Sequence, residues 1–493
     1  MSRSRFPLGH WVLVWNLVLG IGNFTVSAAP AAEFTQADAK AALHKAVGFF
    51  REKIAVQGGY VYLVSEDLTK REGENKTTPT QVWIQPPGTP SVGQTYLTAY
   101  QMTGDGSLLA AARETAECLI RGQLRSGGWY VSIEFDPKAR GEYDYRVDPP
   151  APAGKQKKRR MTTLDDDKTQ SCLLFLMRLD RELGFKDEPL HESVLYGLDA
   201  LVKVQYPNGA WPQQFEGAPD PAAFPVAKAS YPETWSRTFP KVNYTSHYTF
   251  NDDTIADVVG LMLEAGDTYG KAEYRAAAEK AGDFIIAAQM PEPQPAWAQQ
   301  YDAAMNPVWA RKFEPPAITG GESQGVIGIL LNLYASTGQE RFLAPIPAAL
   351  AWLEKSQLPG NRLARFYELS TNKPLYFTKQ YVLTYDDSDM PTHYGFKVDS
   401  KVEQLRKAYD KLKADGPPPK KASPGPVERS TTKFSPKVAA AAAEVAAQLD
   451  QRGAWVEAGK LNDHGDDDPT TRVISSRTFI KNLLVLAKCA GAK

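Results

Sequence analysis

The chain is poor in the residues that reactive centres most often use. Only three cysteines, Cys118, Cys172 and Cys489, occur in 493 residues. They are odd in number and set in apolar helical patterns, which excludes a disulfide-built scaffold or a thiolate metal site and predicts buried thiols. Histidine is scarce, with six residues, and His44 reads as a structural residue of a helix. A net charge is missing as well: 57 basic residues cancel 57 acidic ones, so nothing global points to a nucleic acid or an anionic membrane. Apolar runs long enough to span a bilayer are absent outside the first residues. There, Arg3 and Arg5 precede Trp11 to Ile21, and Val26-Ser27-Ala28 follows. That pattern predicts a signal peptide over residues 1–28, hence a secreted or periplasmic protein with no membrane partner after cleavage.

What is abundant is a repeat. With 43% hydrophobic and 23% charged residues the chain is globular. A helix that ends in Gln and is followed by Trp occurs as Gln123 to Trp129, Gln205 to Trp211, Gln289 to Trp297 and Gln451 to Trp455. Ahead of each closing helix another helix ends in a turn, such as Thr103 to Gly106 or Asp267 to Gly270. One repeat is therefore a helical hairpin with an irregular return. The expected fold is mainly all-α, an α/α toroid or partial toroid of helical hairpins with short β-like returns, and a monomer. Its domain would span residues 29–414, followed by a linker-like segment at 415–434 and a C-terminal helical hairpin at 435–493. The helix over Ala37 to Ile54 reads as a closing half whose opening half is missing. Trp211, next to Pro212 and after the break at Pro207-Asn208-Gly209, reads as an apolar plate for the face of a sugar ring.

Acidic residues cluster at helix starts. Asp165-Asp166-Asp167 opens one hairpin and Asn251-Asp252-Asp253 opens the next. Capping needs one such residue, not three. Equivalent helix ends in a ring of hairpins share one rim, so Asp165, Asp252 and Glu322 are expected to face one cleft. Carboxylates gathered there, without His or Cys, favour Ca²⁺. Arg311, Lys312, Arg365, Lys373 and Lys379 supply cations from irregular segments of the same region, which suits an acidic polysaccharide. An inverting glycoside hydrolase with Asp165 and Asp252 as acid and base, and a non-catalytic binder of sugar acids through Trp211, Arg311 and Arg365, are the other readings of these residues.

Seven stretches, in order, carry a family resemblance: Thr89 to Gly93, Gly127-Gly128-Trp129, Leu164 to Gln170, Gln205 to Gln213, Phe250 to Asp253, Arg311 to Pro316 and Ala364 to Glu368. Together they resemble the ordered motifs of the family 10 pectate lyases. The resemblance covers roughly Gly58 to Lys379. It implies Ca²⁺-assisted β-elimination on polygalacturonate, with Asp165 and Asp252 holding the cation and Asp166 and Asp253 beside them. It further implies Arg311 as the base and Arg365 and Lys379 as groups that bind substrate carboxylates. Lys312, Trp211, Asn208 and Asn251 complete the expected substrate contacts. Two departures stand out: Lys379 lies where the family more often has Arg, and Asp166 replaces a frequent Asn.

Overall fold

A computed structural model describes residues 34–419 and 432–493. The signal peptide expected at 1–28 and most of the linker-like segment at 415–434 lie outside the described residues. Helices dominate, in chain order α1 (Gln36–Phe49), α2 (Thr89–Thr103), α3 (Gly106–Gly122), the one-turn α4 (Pro137–Arg140), α5 (Lys168–Glu182), α6 (Glu188–Val204) and α7 (Thr254–Tyr269). There follow α8 (Ala272–Ala288), α9 (Glu322–Thr337), α10 (Ile346–Lys355), α11 (Val402–Asp415), α12 (Pro436–Ala447) and α13 (Ser476–Ala490). No helix of the described residues is long and apolar enough to cross a membrane.

The hairpins α2/α3, α5/α6, α7/α8 and α9/α10 follow one another around an α/α toroid. Their first helices form the inner layer, in which α13 packs on α2, α2 on α5, α5 on α7, α7 on α9 and α9 on α11. Their second helices form the outer layer, where α3 meets α6 and α6 meets α8. The opening half that α1 lacks in sequence is supplied by α13 from the far end of the chain. Antiparallel pairing of Leu63–Ser65 with Val473–Ser475 stitches the two ends together. Phe50 stacks on Phe479 at 3.7 Å between ring centroids across the same seam.

The repeated Gln and Trp residues explain the regularity. Each Trp donates its indole N–H to a carbonyl of the preceding helix: Trp129 to Leu119, Trp211 to Leu201 and Trp297 to Ile285, each at 2.8 Å, and Trp455 to Val445 at 2.9 Å. Each helix-ending Gln of the first three repeats donates both to its own return and to a neighbouring element, as Gln205 does to Gly209 O (2.9 Å) and Ala277 O (2.8 Å). The Trp thus satisfies a helix-terminal carbonyl and fills the core in one step. Trp211 is 0% exposed, so the expectation that it is a plate for a sugar is overturned; its size was needed inside. Gly209 is required beside it, with φ +101 and the Lys280 carbonyl 2.1 Å from where a Cβ would stand. The three cysteines are buried free thiols, and His44 lies 2.6 Å from an Asp105 carboxylate oxygen as a structural contact between helices.

Candidate active site

Two of the inner helices, α5 and α7, begin with the same unusual turn. Before α5, Leu164 has φ −100 and ψ −4, and Asp166 (φ 51, ψ 43) and Asp167 (φ 57, ψ 24) follow in the left-handed region. Before α7, Phe250 has φ −100 and ψ −1, and Asp252 (φ 50, ψ 39) and Asp253 (φ 53, ψ 16) follow. Asp and Asn tolerate that region better than other side chains do, which accounts for the local composition. Each turn is anchored by a short strand. Thr162–Thr163 pairs with Gln214–Phe215, and Tyr248–Thr249 with Gln300–Tyr301. Thr163 Oγ1 accepts from the Asp165 N–H at 3.3 Å, and Thr249 Oγ1 from the Asn251 N–H at 3.0 Å.

Because α5 and α7 are neighbours, the two turns face each other. Carboxylate oxygens of Asp165, Asp166 and Asp252 lie within 4.8 Å of one another, all half-buried. Gln213 donates to Asp165 Oδ1 at 2.7 Å and orients it. Burial pushes the Asp252 carboxyl up to about 7; Arg311 opposes the rise, and Asp166, Asp165 and Glu314 add to it. Asp253 was expected beside the cation and does not join this group. It is exposed; its charge and that of Asp167 add to the rise that burial gives the Asp257 carboxyl, to about 7. Successive residues of a left-handed turn project to different sides, so only one carboxylate of the pair reaches the centre.

The basic side of the cleft is a connected chain. Arg311 Nη2 lies 3.3 Å from Asp252 Oδ2 and 2.6 Å from Glu314 Oε1. Glu314 is 1% exposed and also accepts from Gln299 Nε2 at 2.8 Å and Tyr394 Oη at 3.1 Å. The Tyr394 hydroxyl in turn accepts from Arg365 Nη1 at 3.1 Å, and that guanidinium lies 2.7 Å from Glu322 Oε1. Burial alone would lower both arginines, yet the carboxylates beside them hold Arg311 and Arg365 well above the usual guanidinium range. Tyr244, from the long segment between Glu216 and the α7 turn, lies in the field of Arg311, Glu314, Asp165 and Asp252. That segment also packs against the Arg311 region through Trp309, whose indole donates to Ser236 O at 2.7 Å.

The other expected contacts divide. Lys312 is exposed and places Nζ 3.6 Å from the centroid of the Tyr381 ring, which joins Phe313 and His393 in an aromatic group on the same side. Lys379 is 62% exposed and paired with Asp389 at 3.1 Å. Asn251 is buried as an internal brace: it donates to Asp252 and accepts from Gln299. Asn208 is buried too, with its Oδ1 accepting from the Ala210 N–H at 3.1 Å. Neither asparagine is placed as a substrate contact, because both amides are used to hold turns that lack regular backbone bonding. Sequence reasoning passed over Glu314, Gln213 and Tyr394. The first had a legible signal, standing three residues after Arg311; the other two reach the cleft through loops whose course no local pattern foretells.

Residues 144–364 match the family model described as pectic acid lyase. That span contains every residue of the acidic centre together with Arg311 and Glu314. Over this span the chain is similar to the pectic acid lyase family. The family is one of polysaccharide lyases, and the matched residues build the second, third and fourth hairpins of the toroid. No curated protein matches the lyase in sequence. Among solved structures, a family 10 polysaccharide lyase from Cellvibrio cellulosa is 19% identical, with 66% of this chain and 95% of that chain covered and a TM-score of 0.44. A single-site mutant of the Cellvibrio cellulosa family 10 lyase, in complex with trigalacturonic acid, is similar at 19% identity over 66% of this chain and 98% of that one, with a TM-score of 0.43. A D-mannose isomerase is similar at 13% identity over 94% of this chain and 99% of that one, with a TM-score of 0.40.

Proposed function

We propose that this polysaccharide lyase is a secreted pectate lyase that cleaves de-esterified polygalacturonate by β-elimination and leaves a 4,5-unsaturated uronate at the new end. The observation that carries the reading is the meeting of three carboxylates, Asp165, Asp166 and Asp252, with Arg311 at the edge of their cluster. Hard oxygen donors from two rigid turns, one of them with its carboxyl raised by crowding and burial, fit a Ca²⁺ ion. Asp165, Asp166 and Asp252 would hold it. When bound, the ion would neutralise the uronate carboxylate and the charge that gathers on it as the neighbouring C5 proton is lost.

The protein groups supply the rest. Arg311 is the base that takes the C5 proton, after which the C4–O4 bond breaks and its electron pair leaves with O4. Glu314 and Asp252 keep Arg311 protonated, so its neutral form is scarce and grows with pH; the rate is expected to climb into the alkaline range. Arg365, fixed by Glu322 and Tyr394, and the exposed Lys312 and Lys379 would receive further carboxylates of the chain. The close approach of Asp165 to Asp252, within 4.8 Å, argues against an inverting hydrolase, whose two carboxyl groups stand about 6.5–9.5 Å apart to admit water.

The test is absorbance at the unsaturated-uronate band with polygalacturonate at alkaline pH, with Ca²⁺ and then with chelator, for the mature protein and for Arg311→Ala. Absorbance that requires both Ca²⁺ and Arg311 is expected. New reducing ends without absorbance would mean hydrolysis, and binding without any product would mean a non-catalytic module.

A further inference from the structure

The acidic centre already contains a cation that belongs to the chain. Lys168, the first residue of α5, is 2% exposed, and its ammonium reaches back over the turn that precedes it. Its Nζ lies 3.1 Å from Asp166 Oδ2, 3.5 Å from Asp165 Oδ2 and 3.2 Å from the Asp165 carbonyl oxygen. A lysine is long enough to leave such a place for water and rarely stays fully buried unless paired. Here both of its carboxylate partners belong to the three-member cluster. The corresponding residue at the start of α7 is Thr254, 0% exposed. That turn has no cation of its own; Asp252 receives Arg311 instead.

A divalent ion placed among Asp165, Asp166 and Asp252 would share two of its three carboxylates with the Lys168 ammonium. Like charges a few ångströms apart in a half-buried site oppose each other strongly. The ammonium must then either withdraw or stay and weaken the site. We propose that Lys168 is a tethered counter-ion: it holds Asp165 and Asp166 in place when the centre is empty, and by competing for both it sets the affinity of the centre for a divalent cation. The inference rests on the calcium reading of the centre and deepens it. Lys168 is a positioning residue in this account and needs no contact with the polysaccharide.

The test is calorimetric titration of the folded protein with CaCl₂, without substrate, for wild type, Lys168→Met and Lys168→Arg. Lys168→Met keeps the length and loses the charge, and is expected to bind calcium on the order of tenfold tighter or more. Lys168→Arg retains a charge and is expected to stay close to wild type. A second readout uses the wild type alone: acetylation of Lys168 by acetic anhydride, followed by mass spectrometry, is expected to speed up when calcium draws Asp165 and Asp166 away from the ammonium. Equal or weaker calcium binding by a folded Lys168→Met variant, while wild type binds, overturns the role of Lys168 and leaves the calcium reading standing. Should Lys168→Met fail to fold, acetylation that calcium leaves unchanged overturns it. No calcium uptake by any of the three proteins removes the calcium reading and this inference with it.

Discussion

Leu164 to Lys168 and Phe250 to Thr254 trace the same backbone turn, yet the first carries its own ammonium while the second takes a guanidinium from 59 residues away. The shared part is set by physics local to the turn. Two consecutive residues in the left-handed region cost about 1 kcal/mol or more each for most side chains, and Asp-Asp is a composition that bears this. The difference lies in what neutralises the half-buried carboxylates of each turn. Lys168 is fixed by its own helix start and is always present, whereas Arg311 hangs on an irregular segment clamped by Glu314. A built-in cation suits a group that maintains a site. An imported one, held beside the cleft at the end of a buried network, suits a group that reacts.

Removing the imported cation is therefore expected to have the largest effect. Arg311→Ala should lower the rate of unsaturated product formation by roughly 10²–10⁴-fold, measured by absorbance at saturating calcium. Arg365→Ala should act mainly on KM, since Arg365 is tied to Glu322 and lies farther along the network. A comparable fall in kcat for Arg365→Ala would contradict the division of roles.

The next contrast is between the two carboxylates in equivalent positions. Asp252→Asn should weaken calcium binding by roughly 10–100-fold, and Asp166→Asn should weaken it less, because Lys168 already offsets the Asp166 charge. Calorimetry on both variants decides it; the reverse order would mean that the two turns do not differ as described.

A smaller effect concerns pH. The Asp252 carboxyl is raised to about 7 in the folded protein, so the folded state holds a proton that the unfolded chain releases near the ordinary carboxylate value. Its contribution to stability is present below about pH 4 and is lost as pH rises through about 7. In calcium-free buffer, the melting temperature of wild type should drop relative to Asp252→Asn between these values, and calcium should restore it at neutral pH. A constant difference across the range would rule out this linkage.

The smallest effect tests the shared backbone. Asp167 and Asp253 make no side-chain capping bond, so Asp167→Gly and Asp253→Gly should each change stability by no more than about 1 kcal/mol. Asp167→Val and Asp253→Val should each cost about 1–2 kcal/mol. Unequal costs at the two positions, read from denaturant midpoints, would show that the turns are less alike than their dihedral angles.

Much of this architecture was legible in the chain. The Gln and Trp repeat revealed the hairpins because the Trp performs the same bonding task in all four returns and the Gln does so in the first three. The same regularity misled about Trp211, since an aromatic beside Pro and Gly looks like an exposed plate and only packing shows it covered. Asp165 and Asp252 were readable as partners because ring symmetry puts equivalent helix starts on one rim; Glu322, expected with them, pairs with Arg365 instead, and Asp166 was implied only by the resemblance. Asp253 was not separable from Asp252 in sequence, as the turn that divides them is visible only in its dihedral angles. The seam between α1 and α13 was equally hidden: it joins segments more than four hundred residues apart, and no local pattern encodes such a pairing.

The most direct test of the central claim, that the two turns together hold the cation against which substrate is placed, is a crystal structure of Arg311→Ala with calcium and trigalacturonate. The account requires an ion about 2.3–2.6 Å from oxygens of Asp165, Asp166 and Asp252, with a uronate carboxylate beside it and C5 facing the emptied Arg311 position. An ion bound elsewhere, or a sugar chain seated away from these three carboxylates, would contradict it.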